Sequence, residues 1–88
     1  MMAHFRARPG LLSEKVDDAL IVVNVQEGKV HELNSSAAWL WERLSEPKDV
    51  AELVEVFCER YDVSIPTVQQ DIESLLKQMV QYGLLIAE

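Results

Sequence analysis

The hydrophobic positions of the chain change their spacing near residue 34. Before that point, apolar residues form short runs that are separated by turn-forming residues, which is typical of β-strands. Asp17-Asp18 and Gly28 mark two turns, because short carboxylate side chains and glycine tolerate turn dihedrals. We therefore predict a three-stranded antiparallel meander with strands at 11–16, 19–25 and 29–33.

After residue 34 the spacing becomes helical. Asn34, Ser35 and Ser36 are good N-cap residues, since their side-chain oxygens accept from the free amides of a first turn. Apolar residues then recur at helical intervals up to Leu44. The first helix is predicted to end near residue 45, before Pro47.

Two further helices are predicted. Asp49 and Glu52 have the spacing of a capping box, so the second helix begins there. The third helix is predicted to begin near Pro66, which is tolerated in a first turn, and to end at Tyr82 before Gly83. Its apolar residues form two rows, 68-72-75-79 and 72-76-80, of which one could line an open groove. Residues 84–86 either add a short strand or cover the core.

Length and composition fit a globular binding module. With 88 residues the chain is expected to form one domain, 1–88, in which residues 1–8 are flexible. No apolar run reaches the ~20 residues of a membrane span. Cys58 is the only cysteine, which excludes an intrachain disulfide. It is interpreted as a core residue, because it lies on the apolar face of the second helix. A cytoplasmic location is expected.

The charge distribution separates the candidate functions. The net charge is −7, and residues 34–88 contribute −6 of it, from four Lys/Arg and ten Asp/Glu. Nucleic-acid interfaces are basic, since phosphate neutralisation supplies most of their affinity. We therefore expect no nucleic-acid partner, and a winged-helix nucleic-acid-binding regulator is the weaker alternative. A structural subunit that docks on an enzyme through its acidic helix is a third hypothesis.

The residues that could support catalysis are few. His4 and His31 are not paired at metal-ligand spacing, and Cys58 has no CxxC companion. We therefore expect no metal, no cofactor and no enzymatic activity. The free edge of the third strand could accept a peptide as an added strand. Alternatively, the edge has no ligand and is tolerated because the strand is short and carries charged side chains. The same edge could instead pair with a second copy of the chain, which would give a homodimer.

Five sequence motifs are spread over roughly residues 8–87. They are Gly28-x-x-x-x-Leu33-Asn34-x-x-Ala37-x-x-x-Trp41, Ala51-Glu52-Leu53-Val54, Tyr61-Asp62-Val63, Asp71-Ile72-x-x-Leu75-Leu76 and Gly83-Leu84-Leu85. Together these motifs resemble the PqqD-like family. The resemblance implies an α+β, winged-helix-like fold, with a three-stranded antiparallel N-terminal sheet followed by a three-helix bundle.

The resemblance also implies a function. Members of this family bind the leader segment of a ribosomally made precursor peptide and present the peptide to a modifying enzyme, such as a radical SAM enzyme in pyrroloquinoline quinone synthesis or a leader peptidase in lasso-peptide synthesis. The leader pairs with the third strand and lies against the third helix. The backbone of the strand is expected to matter more than its side chains, and Leu33 is expected to be a core residue rather than a contact. The implied contacts are Lys29, Val30, His31, Glu32 and Leu33 on the strand and Val68, Asp71, Ile72, Leu75 and Met79 on the helix.

Overall fold

The computed structural model describes residues 3–88. Three strands form an antiparallel sheet in the order β2-β3-β4, and three helices follow, which confirms the predicted α+β fold. A second, two-stranded sheet joins the two ends of the chain. The elements are β1 (Phe5–Ala7), β2 (Leu12–Val16), β3 (Ala19–Asn24), β4 (Lys29–Leu33), α1 (Ser35–Arg43), α2 (Val50–Tyr61), α3 (Ile65–Gln81) and β5 (Leu85–Ala87).

The three-stranded sheet has one face on the helices. In the central strand β3, Leu20, Val22 and Asn24 are buried, and the residues between them are half-buried on the opposite face. Val22 lies opposite His31 of β4, and Val23 lies opposite Val30. Because side chains alternate along a strand, His31 shares the inner face with Val22, whereas Val30 lies on the outer face.

The small sheet was not predicted. Phe5–Ala7 belongs to the segment that the sequence analysis expected to be flexible, but it forms β1 and pairs antiparallel with β5. Three residues are too few to show an alternating pattern, and their partner lies at the other end of the chain, so no local signal marks the strand. The C-terminal segment is thus a strand, and Leu85 within it is also buried in the core.

The helix boundaries follow the local chemistry that the sequence predicts. Asn34 caps α1, because its Oδ1 accepts from the Ala37 amide at 2.9 Å. Asp49 and Glu52 form the capping box of α2, with the two reciprocal bonds at 2.9 and 3.1 Å. Pro66 lies in the first turn of α3. Gly83 follows α3 with a φ of +76°, a left-handed conformation that glycine adopts without a Cβ penalty.

The core lies between β3, the three helices and the C-terminal strand. Leu40, Leu44, Leu53, Leu76 and Leu84 are among its fully buried side chains. Burying a leucine of this kind is worth about 2 kcal/mol relative to leaving it exposed. These leucines come from all three helices and from the segment before β5, so their packing holds the helices together.

Both tryptophans are partly buried and pack against this core. Trp39 makes edge contacts with Phe57 and Tyr61, which fastens α1 to α2. Trp41 donates from Nε1 to the Leu84 carbonyl at 3.3 Å, which fastens α1 to the C-terminal segment. Both indole rings thus connect α1 to neighbouring parts of the core while staying partly exposed.

Candidate functional site

The strand β4 has one free edge. It pairs with β3 on one side and is the last strand of the sheet on the other. Within residues 3–88, no backbone hydrogen bond outside the ladder involves residues 29–33. An edge strand directs alternate amides and carbonyls away from its neighbour, so β4 offers unpaired backbone donors and acceptors.

The end of α3 lies beside this edge. The imidazole of His31 stacks on the ring of Tyr82, with centroids 5.2 Å apart and an interplanar angle of 24°. Tyr82 caps the C-terminus of α3 and is 52% exposed. Leu75 precedes it by about two helical turns and is therefore on the same face of the helix. His31 and Tyr82 are thus in contact at β4, and Leu75 lies on the same face of α3 as Tyr82. We call these three residues the β4–α3 surface.

The side chains of β4 divide between two environments. Val30 and Glu32 are exposed, and Val30 reaches 65% exposure on the outer face of the sheet. Lys29 is exposed, and its ammonium lies 3.9 Å from a Glu27 carboxylate oxygen, a surface pair of little energetic weight. Leu33 is buried in the core, as the sequence analysis expected. A ligand at the edge would therefore meet mainly backbone atoms.

His31 contributes its ring to this surface but not its Nε2 atom. Its Nε2 atom is buried and has no hydrogen-bond partner among the described residues. A buried polar atom without a partner is costly, and because this atom has almost no accessible area, a ligand would reach it only if the imidazole shifted.

Three of the predicted helix contacts are buried in the free protein. Val68, Ile72 and Met79 are buried in the core of the free protein and offer no open surface. The reason is geometric: these residues follow one side of α3, and that side faces the core, where α3 packs against α2 and β5. Asp71 is exposed and Leu75 is partly buried, so these two remain accessible.

Tyr82 is the residue of this surface that the sequence analysis treated only as a helix end. A signal for it was present in the spacing. Tyr82 extends the row 72-75-79 by three positions, so it continues the same helical stripe beyond the last predicted apolar residue. Its contact with β4 depends on the tertiary fold, which spacing does not report.

One cluster of metal-ligand types occurs among the described residues. The ligand atoms of His4, Asp49 and Glu52 lie within 4.8 Å of one another. Both carboxylates already serve the capping box of α2. The cluster is therefore explained by the helix start, and it is separate from the β4–α3 surface.

The fold and the free edge together define a winged-helix-like domain with a strand available for pairing. The family model described as coenzyme PQQ synthesis protein D (PqqD) matches residues 19–85. The chain belongs to the PqqD family, which confirms the resemblance drawn from the motifs.

Two solved structures share this fold. "TbiB1 in Complex with the TbiA(beta) Leader Peptide" is 28% identical, with 91% of this chain and 93% of that chain covered at a TM-score of 0.81. "Lasso peptide synthetase B1 complexed with the leader peptide" is 23% identical, with 93% and 96% covered at a TM-score of 0.80. The search of curated proteins gave no match. Within residues 3–88, every helix is too short or too polar to cross a bilayer.

Proposed function

We propose that this protein binds the leader segment of a ribosomally made precursor peptide and presents that peptide to a modifying enzyme, without catalytic activity of its own. The unpaired edge of β4 beside Leu75 and Tyr82 carries the proposal. Membership of the PqqD family supports it, and so does the 28% identical structure that was solved with a leader peptide.

The leader would add to the sheet as a further strand. Its backbone would pair with β4, and alternate side chains would point toward α3 because strand side chains alternate. These inward side chains would meet the ring of Tyr82, Leu75 and the stacked imidazole of His31. Asp71 lies about one turn before Leu75 and would suit a basic residue of the leader. Val68, Ile72 and Met79 would support the surface from beneath.

The acidic surface argues against the nucleic-acid alternative. The chain carries −7, and most of that charge belongs to the helical part that would face a phosphate backbone. The enzyme partner is proposed only as a class, with radical SAM enzymes and leader peptidases as the two candidates. Its kind depends on the pathway that the precursor belongs to.

A proline scan of β4 tests strand addition. Proline removes one backbone donor, and in β4 the amides of residues 29–32 point alternately toward β3 and away from it. Two of the four variants should therefore lose the sheet. The other two should stay folded by circular dichroism and lose leader affinity by about tenfold or more, close to 1.4 kcal/mol. The probe is the leader of a precursor encoded beside the gene, titrated into the 15N-labelled protein.

The scan also separates strand addition from self-association. A homodimer formed through β4 would use the same amides, so sedimentation of the native chain and of the two folded variants is measured alongside. If every folded variant binds the leader like the native chain, strand addition is wrong. Titration shifts confined to other elements would contradict the site as well.

A further inference from the structure

A second open surface lies between α2 and α3. It is a groove of about 910 Å³, and β1 contributes to its wall. Its floor is apolar: Val54 is buried, and Phe5, Val50 and Cys58 are partly buried against the core. At one end Ile65 is 56% exposed and adds apolar surface to the groove.

The rim of this groove is acidic. Glu55 and Glu59 come from α2, and Glu73 comes from α3, against a single cation, Lys77. None of the three ion pairs formed within residues 3–88 includes a rim residue. Glu73 accepts a hydrogen bond from Gln69 at 3.3 Å, which does not neutralise its charge. We call this feature the acidic groove.

The acidic groove and the β4–α3 surface lie on opposite flanks of α3. Glu73 and Leu75 are two positions apart, which is about 200° around a helix at ~100° per residue. No residue of β4 lines the groove. Both surfaces could therefore be occupied together, with the core row of α3 between them.

We infer that the acidic groove binds a basic amphipathic helix of a partner protein. An apolar floor between two helices accepts the apolar face of a third helix, and the rim carboxylates attract cations that flank that face. Along α3 the groove extends from Ile65 to Lys77, and twelve residues at ~1.5 Å each give about 18 Å, the length of a helix of roughly 12 residues.

A second copy of this chain is a poor occupant. The helix α2 carries Glu52, Glu55 and Glu59 against Arg60, and α3 is also net negative with Asp71 and Glu73 against Lys77. In α1, one acid is balanced by one arginine. None of the three helices has the positive face that the rim requires. If the proposed function holds, the helix belongs to the enzyme that receives the leader-bound peptide, and this assignment rests on that function.

A synthetic leucine–lysine peptide of about 14 residues, with its lysines flanking an apolar stripe, is the probe. Titrated into the 15N-labelled chain, it should shift amides of α2 and the first half of α3 and leave β4 unchanged. The triple variant Glu55→Gln, Glu59→Gln, Glu73→Gln should weaken its binding by about fivefold or more. Ile65→Ser removes a 56% exposed apolar side chain at one end of the groove and should also weaken binding of the peptide.

The matched control is Glu14→Gln, Asp18→Asn, Glu46→Gln, which removes the same charge from exposed positions outside the groove. If this variant weakens binding as much as the rim variant, the peptide responds only to net charge and the inference is wrong. Absence of shifts around the groove would also overturn it. Leader affinity of the native chain and of the rim variant is measured in parallel. If the native chain binds the leucine–lysine peptide at the groove but does not bind the leader, the proposed function is wrong and the inference about the groove is still supported.

Discussion

The two flanks of α3 present different kinds of recognition surface. On one flank, β4 offers unpaired backbone groups beside the rings of His31 and Tyr82. On the other, the interior turns of α2 and α3 have their backbone groups in helical hydrogen bonds, so the groove offers mainly side chains, with an apolar floor and the carboxylates of Glu55 and Glu59. A backbone edge recognises an extended chain of many sequences, whereas a charged groove selects by side-chain character.

The difference indicates how one small domain can hold two ligands at once. Strand pairing depends on short-range hydrogen bonds, and groove binding depends partly on Coulomb attraction at an exposed rim. The two should therefore respond differently to substitution and to salt. The predictions below remove the element that the flanks share, change one flank alone, or compare the two flanks at different salt concentrations.

The largest effect is expected from Leu76→Ala. Leu76 is fully buried in the row of α3 that lies between the flanks. Truncation of such a residue leaves a cavity and should lower the free energy of unfolding by about 2–5 kcal/mol. Urea denaturation measures this, and both ligands should bind less well where the variant is partly unfolded. Leu75→Ala, at a partly exposed neighbour, is the control and should cost clearly less stability.

Tyr82→Ala should change the β4 flank alone. It removes the ring that stacks on His31 and would contact the leader, so leader affinity should fall by about 1.5 kcal/mol, or roughly tenfold. Tyr82→Phe keeps the ring and should restore most of the affinity. Tyr61→Ala removes the chain's other tyrosine, which lies in the aromatic cluster of α1 and α2. Isothermal titration calorimetry compares the leader affinities of the three variants. The assignment of Tyr82 to the leader site would be contradicted by unchanged affinity in Tyr82→Ala, or by an equal loss of affinity in Tyr61→Ala.

Much of the fold could be predicted because its signals are local. The strand 29–33 coincides with the predicted one, and the capping box of α2 follows from the spacing of Asp49 and Glu52. The strand β1 could not be predicted, since its pairing with β5 joins opposite ends of the chain. Local periodicity carries no information on such a contact.

The candidate site was harder to predict than the elements that form it. Spacing gives the angle of each residue around α3, but it does not tell which neighbour covers that angle. Val68 and Ile72 were therefore expected beside a peptide and are buried, whereas Tyr82 was missed although it stacks on β4. The residues themselves left the edge of β4 undecided, and the family resemblance turned the hypothesis toward a peptide.

Asp49→Ala should lower stability by about 1 kcal/mol, because it removes the side-chain acceptor at the start of α2. Thermal denaturation measures the loss, and Asp49→Ser, which keeps a capping oxygen, is the control. Since α2 borders the acidic groove and not β4, leader affinity at a temperature where the variant is folded should stay unchanged. A fall in leader affinity there would show that the two flanks are coupled through the helices.

The smallest effect is expected from salt, and it compares the two flanks without any substitution. Raising the ionic strength from about 0.1 to 1 M shortens the Debye length from ~10 to ~3 Å, which screens exposed charges. Binding of the leucine–lysine peptide to the acidic groove should weaken by about threefold, close to 0.7 kcal/mol. Leader binding should change less, because backbone hydrogen bonds and ring contacts are short-ranged. Equal salt dependence of both ligands, measured by titration of the same sample, would mean that charge governs both flanks and that the distinction between them is wrong.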